Sequence, residues 1–283
     1  MTTTGEAFEE SVQALSRAGV DDPRLDARLI AAFALNRAPE HIFGFPEVEL
    51  EADEIRLLRT LVARRVAREP LALITGEKEF WSLRFVVTSA TLIPRPDSET
   101  LIEAVIRTFP DKAAPVKILD LGTGSGCLLL SLLHEYENAR GIGTDISEQA
   151  LIVARTNAKR LELEGRVEFV YANWNDGACN FADFHIILCN PPYIPEGDRD
   201  SLQHEVRQYE PHGALFAGPQ GLSEYSTIVP LLPDLLKEGG WVFFEVGAGQ
   251  AETVAEMLRG AGMYSISISP DLAGIGRCVS AKL

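Results

Sequence analysis

Asn190-Pro191-Pro192-Tyr193 is the stretch whose residue types and order are suited to chemistry. It follows Phe184-His185-Ile186-Ile187-Leu188-Cys189, an apolar run that reads as a fully buried parallel strand. Neither proline has an N–H for a sheet ladder, so the strand must stop there. The prolines also hold Asn190 and Tyr193 in a stiff turn and leave backbone carbonyls free of competing neighbours. A side-chain amide, a free carbonyl and an aromatic face thus converge at the carboxyl end of a strand, where open α/β sheets bind ligands. Such acceptors can take both hydrogens of an amide or aromatic amino group and turn its nitrogen lone pair outward. Taken alone, the four residues could equally be a strand-ending turn whose Asn caps a neighbour.

Upstream, Asp120-Leu121-Gly122-Thr123-Gly124-Ser125-Gly126 closes one strand and opens a helix. Glycines there let the backbone approach a ligand and let the helix pack close to the sheet. A dinucleotide fingerprint would need glycine where Cys127 stands, and a P-loop would need Lys-Ser/Thr where Leu128 and Leu129 stand. Asp145 ends the next strand about twenty residues beyond the last glycine, the place of an acid that accepts both ribose hydroxyls of a nucleoside. The alternative for Asp145 is the cap of the following helix. Trp174, just past the third strand, offers a flat face for an adenine ring or, equally, a core side chain.

These residues need a sheet to carry them, and the chain supplies one. Strand and helix alternate from Val116 to Leu121, Gly126 to Tyr136, Arg140 to Asp145, Glu148 to Leu161, Val167 to Tyr171 and Phe184 to Cys189. A helix ending near Lys237-Glu238-Gly239-Gly240, a strand Trp241 to Val246, a helix Ala251 to Ala261 and strands near Tyr264 to Ile268 and Arg277 to Ala281 complete the pattern. The expectation is an α/β fold with a doubly wound, mostly parallel seven-stranded Rossmann-like sheet. Residues 1–75 read instead as a helical bundle. Phe8, Val12 and Leu15, then Leu25, Leu29, Ile30 and Phe33, recur at helical spacing, with Asp21-Asp22-Pro23 as a start signal between them. A third segment runs from Ala52 to Arg68. Its Arg59, Arg64, Arg65 and Arg68 read as a solvated face in preference to a binding patch. Residues 76–95 read as a β-hairpin linker, with a polar turn at Ser82, and residues 96–283 as the domain that carries the chemistry. Asp97 or Ser98 is the expected cap of the helix after Pro94-Arg95-Pro96.

The 26 Lys and Arg against 41 Asp and Glu leave a net charge of −15, which repels phosphate backbones and argues against a nucleic-acid substrate. No signal peptide, membrane-length apolar run or metal-ligand spacing is evident. Cys127, Cys179, Cys189 and Cys278 form no C-x-x-C pair and read as reduced, buried small hydrophobes of a cytoplasmic protein.

With these residues assembled, the chain resembles the class I S-adenosylmethionine-dependent methyltransferases and, within them, the release factor glutamine methyltransferases of the HemK or PrmC family. The resemblance rests on the helical N-terminal region, Gly76 to Trp81, Leu92 to Pro96, Asp120 to Gly126, Asp145, Asn190 to Ile194, Tyr209-Glu210-Pro211 and Gly218 to Leu222. It implies that Gly122, Thr123, Gly124, Ser125 and Gly126 cradle the methionyl part of S-adenosyl-L-methionine, that Asp145 holds its ribose, and that Trp174 flanks its adenine. Asn190 would lie beside the sulfonium, and the spent cofactor would be S-adenosyl-L-homocysteine. It further implies that Asn190 and the Pro191 carbonyl accept hydrogen bonds from a glutamine side-chain amide within the turn completed by Pro192, with Tyr193 packed against that side chain. The implied partner is a class 1 peptide chain release factor, methylated on the glutamine of its Gly-Gly-Gln loop. No membrane, nucleic acid or metal is implied, and the chain is expected to act as a monomer. Two positions depart from the family: Asp97-Ser98 stands where Glu-Thr is usual, and Asn173 stands where Asp often precedes the tryptophan. His185, Glu210 and Glu245 are expected to be structural. An adenine-N6 DNA or RNA methyltransferase would use the same turn on a flipped base, and a non-catalytic nucleoside-binding module is the reading from another class.

Overall fold

The computed structural model of the chain describes residues 2–176 and 181–283, so Cys179 lies outside the described residues. The chain divides into two compact units, Met1–Glu77 with Gln203–Tyr209, and Lys78–Leu202 with Glu210–Leu283.

The first unit is helical: α1 Thr4–Arg17, α2 Pro23–Ala34, α3 Pro39–Gly44, α4 Ala52–Val66 and α5 Leu71–Thr75. The start signals work as their chemistry requires. Thr3 and Glu6 close a capping box on α1, and Asp22 accepts the Leu25 N–H ahead of α2, whose first residue is Pro23. Phe8, Leu15, Ile30, Leu58, Leu61 and Ile74 fill the core. The buried stripe of α2 is Ala27, Ile30, Ala31 and Ala34, while Leu25 and Phe33 face solvent. The alanines leave room for a close neighbour, so they, and not the larger residues one face over, take the inside. The arginine face of α4 also differs from expectation. Arg65 is buried, with Asp26 at 2.7 Å and Glu205 at 3.2 Å; Arg68 meets the same Glu205 at 2.7 Å, and Arg64 pairs with Glu69 at 2.6 Å. Only Arg59, paired with Glu10 at 3.2 Å, remains largely in water. The Gln203–Tyr209 segment belongs to this unit and supplies the carboxylate that makes the difference.

The second unit begins with a hairpin, β1 Glu77–Phe80 and β2 Leu83–Val86. Trp81 and Ser82 at its turn both have positive φ. The Trp81 backbone N–H donates to Glu99 and its indole N–H to Glu135, each at 2.8 Å, which holds a bulky residue in a conformation it rarely adopts. Phe80 and Phe85 are buried in the core of this unit, together with Leu129, Leu132 and Ile186.

The rest follows as α6 Glu99–Thr108, β3 Lys117–Leu121, α7 Cys127–Glu135, β4 Arg140–Asp145, α8 Glu148–Arg160, β5 Val167–Tyr171, β6 Phe184–Cys189, α9 His204–Tyr209 (the helix of the first unit), α10 Ser223–Ile228, α11 Leu232–Leu235, β7 Leu236–Glu245, α12 Ala251–Gly260, β8 Tyr264–Pro270 and β9 Gly276–Lys282. Seven strands form one sheet in the order β5-β4-β3-β6-β7-β9-β8. Neighbours from β5 to β7 pair in parallel, and β9 runs antiparallel to β7 and β8. The sheet is thus α/β and mostly parallel. Helices cover both faces: Leu101, Leu129 and Leu151 fill one core, while Tyr225, Leu232, Val254 and Leu258 fill the other.

One element starts earlier than its pattern suggests. The helix expected to reach Lys237–Gly240 ends at Leu235, and Leu236 already pairs with Phe184. The register then shifts before Ile186 meets Trp241, with Gly239 at φ +76 inside the irregularity. Pairing with a buried strand outweighs the helical continuation that local sequence favours. Among the described residues no helix is long and apolar enough to cross a membrane, and no three His, Cys, Asp or Glu side chains converge as a metal cluster. Cys127, Cys189 and Cys278 are free.

Candidate active site

The carboxyl ends of β3, β4 and β6 open into one cavity of about 310 Å³. That volume is near the lower end of the roughly 300–1,000 Å³ found for small-molecule sites. The strand order makes it, because β4 and β6 flank β3 and the crossovers leave from opposite sides of it.

The glycine loop is the floor. Gly122 and Thr123 donate their N–H groups to the Thr144 carbonyl at 2.9 and 2.8 Å, tying the loop to the end of β4. Gly122 has φ +73, and a Cβ added there would stand 3.4 Å from the Trp174 ring. The left-handed backbone is what calls for glycine here, and the added Cβ would only reach ordinary contact with the ring. Gly126, at φ +81, opens α7. From the far side Asn157, fully buried on α8, donates to the Ser125 and Val86 carbonyls at 2.9 and 3.0 Å and accepts the Val86 N–H at 2.7 Å. One amide thereby fastens the loop to the hairpin.

Asp145 lines the cavity, with Oδ2 accepting the Gly124 N–H and Oδ1 the Ser147 N–H, both at 2.9 Å. Each oxygen keeps acceptor capacity for a ligand. Burial raises its pKa, against the stabilising N–H donors. The helix cap is Ser147, whose hydroxyl accepts the Ala150 N–H, so Asp145 is left free for the cavity. Trp174 walls the other side and donates its indole N–H to Glu224 at 2.8 Å. A glycine-rich loop, an acid and a flat aromatic wall fit the nucleoside and methionyl parts of S-adenosylmethionine.

Behind the loop lies Asp120, 1% exposed, accepting the Thr123 hydroxyl at 2.6 Å. Burial pushes its pKa up to about 7, a rise that the Asp145 charge also favours and the Thr123 donor opposes. Between its exposed and buried values the folded chain binds the extra proton, so stability falls as pH rises through that window. From about pH 5 to about pH 8 the loss is on the order of 2 kcal/mol. Asp120→Asn keeps an oxygen for Thr123 and removes the titration. The variant should therefore gain several degrees of melting temperature on the parent by pH 8, relative to their difference at pH 5; an equal difference at both would show that Asp120 does not titrate there.

The Asn190 turn closes the site. Asn190 and Pro192 line the cavity, whereas Pro191 is buried. The Asn190 Nδ2 is 3.5 Å from Ser98 Oγ, which leaves Oδ1 as the acceptor available to a ligand. Tyr193 turns away from the lining. Its hydroxyl donates to Glu245 Oε1 at 3.3 Å and its carbonyl accepts from Gln250 Nε2 at 3.0 Å. Burial and the Glu245 charge push the Tyr193 pKa up. Past the turn, the Ile194 N–H donates to the Leu215 carbonyl and the Ala217 N–H to the Ile194 carbonyl, which brings Phe216 to the rim.

Other expectations settle by geometry. Ser98 stands at the N-cap position of α6, as expected of Asp97 or Ser98, but no side chain makes a cap hydrogen bond there. Glu210 is buried and holds the Ile93 N–H at 3.1 Å and Arg95 at 2.5 Å, a structural clasp on the Ile-Pro-Arg-Pro junction. His185, half-buried at the opposite end of β6, accepts the Lys117 N–H at 3.1 Å. Five residue steps at roughly 3.3 Å each put it about 17 Å from Asn190. Burial lowers its pKa, as do Lys237 and Lys117. Sequence reasoning missed Glu224 and Gln250 as partners of Trp174 and the turn. For Gln250, the signal was its place in the Gly-Ala-Gly-Gln run that ends β7.

Family models of the PrmC N-terminal domain and of the methyltransferase small domain match residues 6–76 and 97–209. The release factor glutamine methyltransferase of Koribacter versatilis is 38% identical over 280 residues, covering 99% of this chain and 98% of that one. That of Caulobacter vibrioides is 38% identical over 277 residues, covering 98% and 95%. Among solved structures, the hMettl16 catalytic domain bound to a 3'UTR hairpin is similar with a TM-score of 0.55 at 16% identity, over 78% of this chain and 81% of that one, a likeness of fold alone.

Proposed function

The chain belongs to the release factor glutamine methyltransferase family, and on that premise we propose that it methylates the side-chain amide nitrogen of the glutamine in the Gly-Gly-Gln loop of class 1 peptide chain release factors. The observation that carries this reading is the Asn190 carboxamide, turned by Ser98 so that its oxygen is free, at the edge of the cavity that holds the glycine loop and Asp145.

S-adenosyl-L-methionine, when bound, supplies a methyl group on a cationic sulfur. Gly122 to Gly126, Asp145 and Trp174 would hold it. An amide nitrogen is a poor nucleophile because its lone pair is shared with the carbonyl. Asn190 Oδ1 and the Pro191 carbonyl would each accept one of its N–H bonds, fixing the nitrogen and favouring positive charge there. This is positioning with electrostatic stabilisation, and orientation alone can supply on the order of 7 kcal/mol. No base is needed before transfer, because the alkylated amide loses its proton readily. The buried carboxylates Glu210 and Glu245 are engaged elsewhere, in agreement with structural roles.

We assign substrate docking to the helical unit, and the cytoplasm, where translation ends, as the site of action of a monomeric enzyme. The test is methyl transfer from tritiated cofactor to a release factor, to its Gln→Ala loop variant and to duplex DNA. Label on the first alone, with one methyl on the loop glutamine by mass spectrometry, is the expected outcome. Label on DNA and none on the release factor would replace this reading with base methylation.

A further inference from the structure

Ser98 sits in the short turn Pro96–Ser98 that precedes α6, is 2% exposed, and spends its hydroxyl on no helix cap. Two groups face it. Asn190 Nδ2 is 3.5 Å from its oxygen, and its hydroxyl favours the ionised form of Glu245, opposing the burial that raises that carboxyl's pKa. Glu245, 1% exposed at the end of β7, accepts the Tyr193 hydroxyl on Oε1. Its buried Oε2 takes no hydrogen bond of ordinary geometry among the described residues. The Ser98 hydroxyl is the donor at hand for that carboxylate.

We propose that Ser98 is a positioning residue that selects which end of the Asn190 carboxamide faces the acceptor nitrogen, with Glu245 setting the direction. A carboxylate only accepts and a hydroxyl has one proton to give. Once that proton points at Glu245, the Ser98 oxygen can only accept, and only the amide nitrogen of Asn190 can meet it. A flipped Asn190 would bring two oxygens together with no hydrogen between them. The cost of such an unmade buried pairing is what holds the amide. The same carboxylate fixes Tyr193, so one buried acid at the end of β7 orients both polar side chains of the turn. This rests on the proposed function only in that Asn190 is taken to touch the methyl acceptor.

The test uses the full chain with Ser98→Ala, Ser98→Thr and Ser98→Val. Binding of S-adenosylhomocysteine is measured by calorimetry, and turnover with whichever acceptor the wild type methylates. Ser98→Ala should lower kcat roughly 10- to 100-fold, while affinity for S-adenosylhomocysteine and KM for the acceptor stay within about threefold. Thr and Val have the same shape, so the pair reads the hydroxyl itself even if filling the site costs stability. Ser98→Thr should exceed Ser98→Val at least about tenfold in kcat. Wild-type turnover in Ser98→Ala, or equal loss in Thr and Val, would overturn the proposal. Because the acceptor is chosen by the wild type, failure here is distinct from failure of the glutamine reading.

Discussion

Replacing Asn190 with Ala should lower kcat roughly 10²- to 10³-fold, the loss typical of removing one preorganised group at a site of developing charge. The methyl acceptor would lose one of its two oxygen partners and, with it, both orientation and the pull that favours charge on nitrogen. Cofactor affinity should change little, within about threefold or the worth of a weak hydrogen bond. The glycine loop and Asp145 are held by Thr144, Asn157 and Ser147, none of which depends on Asn190. Calorimetry with S-adenosylhomocysteine together with single-turnover rates separates the two quantities. Loss of both would make Asn190 a cofactor ligand or a folding residue. Full turnover would make the chain a binding module or shift the chemistry elsewhere.

The alternation of strands and helices was legible because the central parallel strands β3 and β6 are short apolar runs buried along nearly their whole length. The glycine loop was legible for the same reason: three glycines between a strand and a helix have few other uses. What stayed hidden was fixed by partners far along the chain. Glu205 lies 140 residues from Arg65, and nothing local marks His204–Tyr209 as part of the helical unit. Arginines judged on their own helix alone therefore read as solvated. Leu236 is helical by its neighbours and a strand residue by its pairing with Phe184. Ser98 shows the limit at the site itself. Its residue type and place before a helix read as a cap, and only the three-dimensional position of Asn190 gives the hydroxyl another task. Local rules reported what Ser98 could do, and the fold chose among the options.

Gly221→Ala should be the most damaging change outside the cavity. Gly221 has φ +69, and a Cβ built there would lie 2.0 Å from the Tyr193 carbonyl oxygen and 2.8 Å from Gln250 Nε2. A side-chain tip can swing aside, but a backbone carbonyl in the Pro-Pro-Tyr turn cannot move without moving the turn. Gln250 Nε2 donates to both the Tyr193 and Gly221 carbonyls, at 3.0 and 3.2 Å, while its Oε1 takes the Gly247 N–H at 2.9 Å. Displacing Tyr193 therefore releases the amide that joins three segments at the end of β7. Left-handed strain adds on the order of 1 kcal/mol, and the broken clamp a further 1–3 kcal/mol. Melting temperature should fall by several degrees, and turnover should fall further than stability alone explains, because Asn190 stands three residues from the displaced carbonyl. Gln250→Ala, which releases the clamp without the clash, should lose less of both. If Gly221→Ala retained wild-type turnover, the Asn190 turn would have to tolerate a shift in its backbone, and the rigid placement of the amide acceptor would not be what the site depends on.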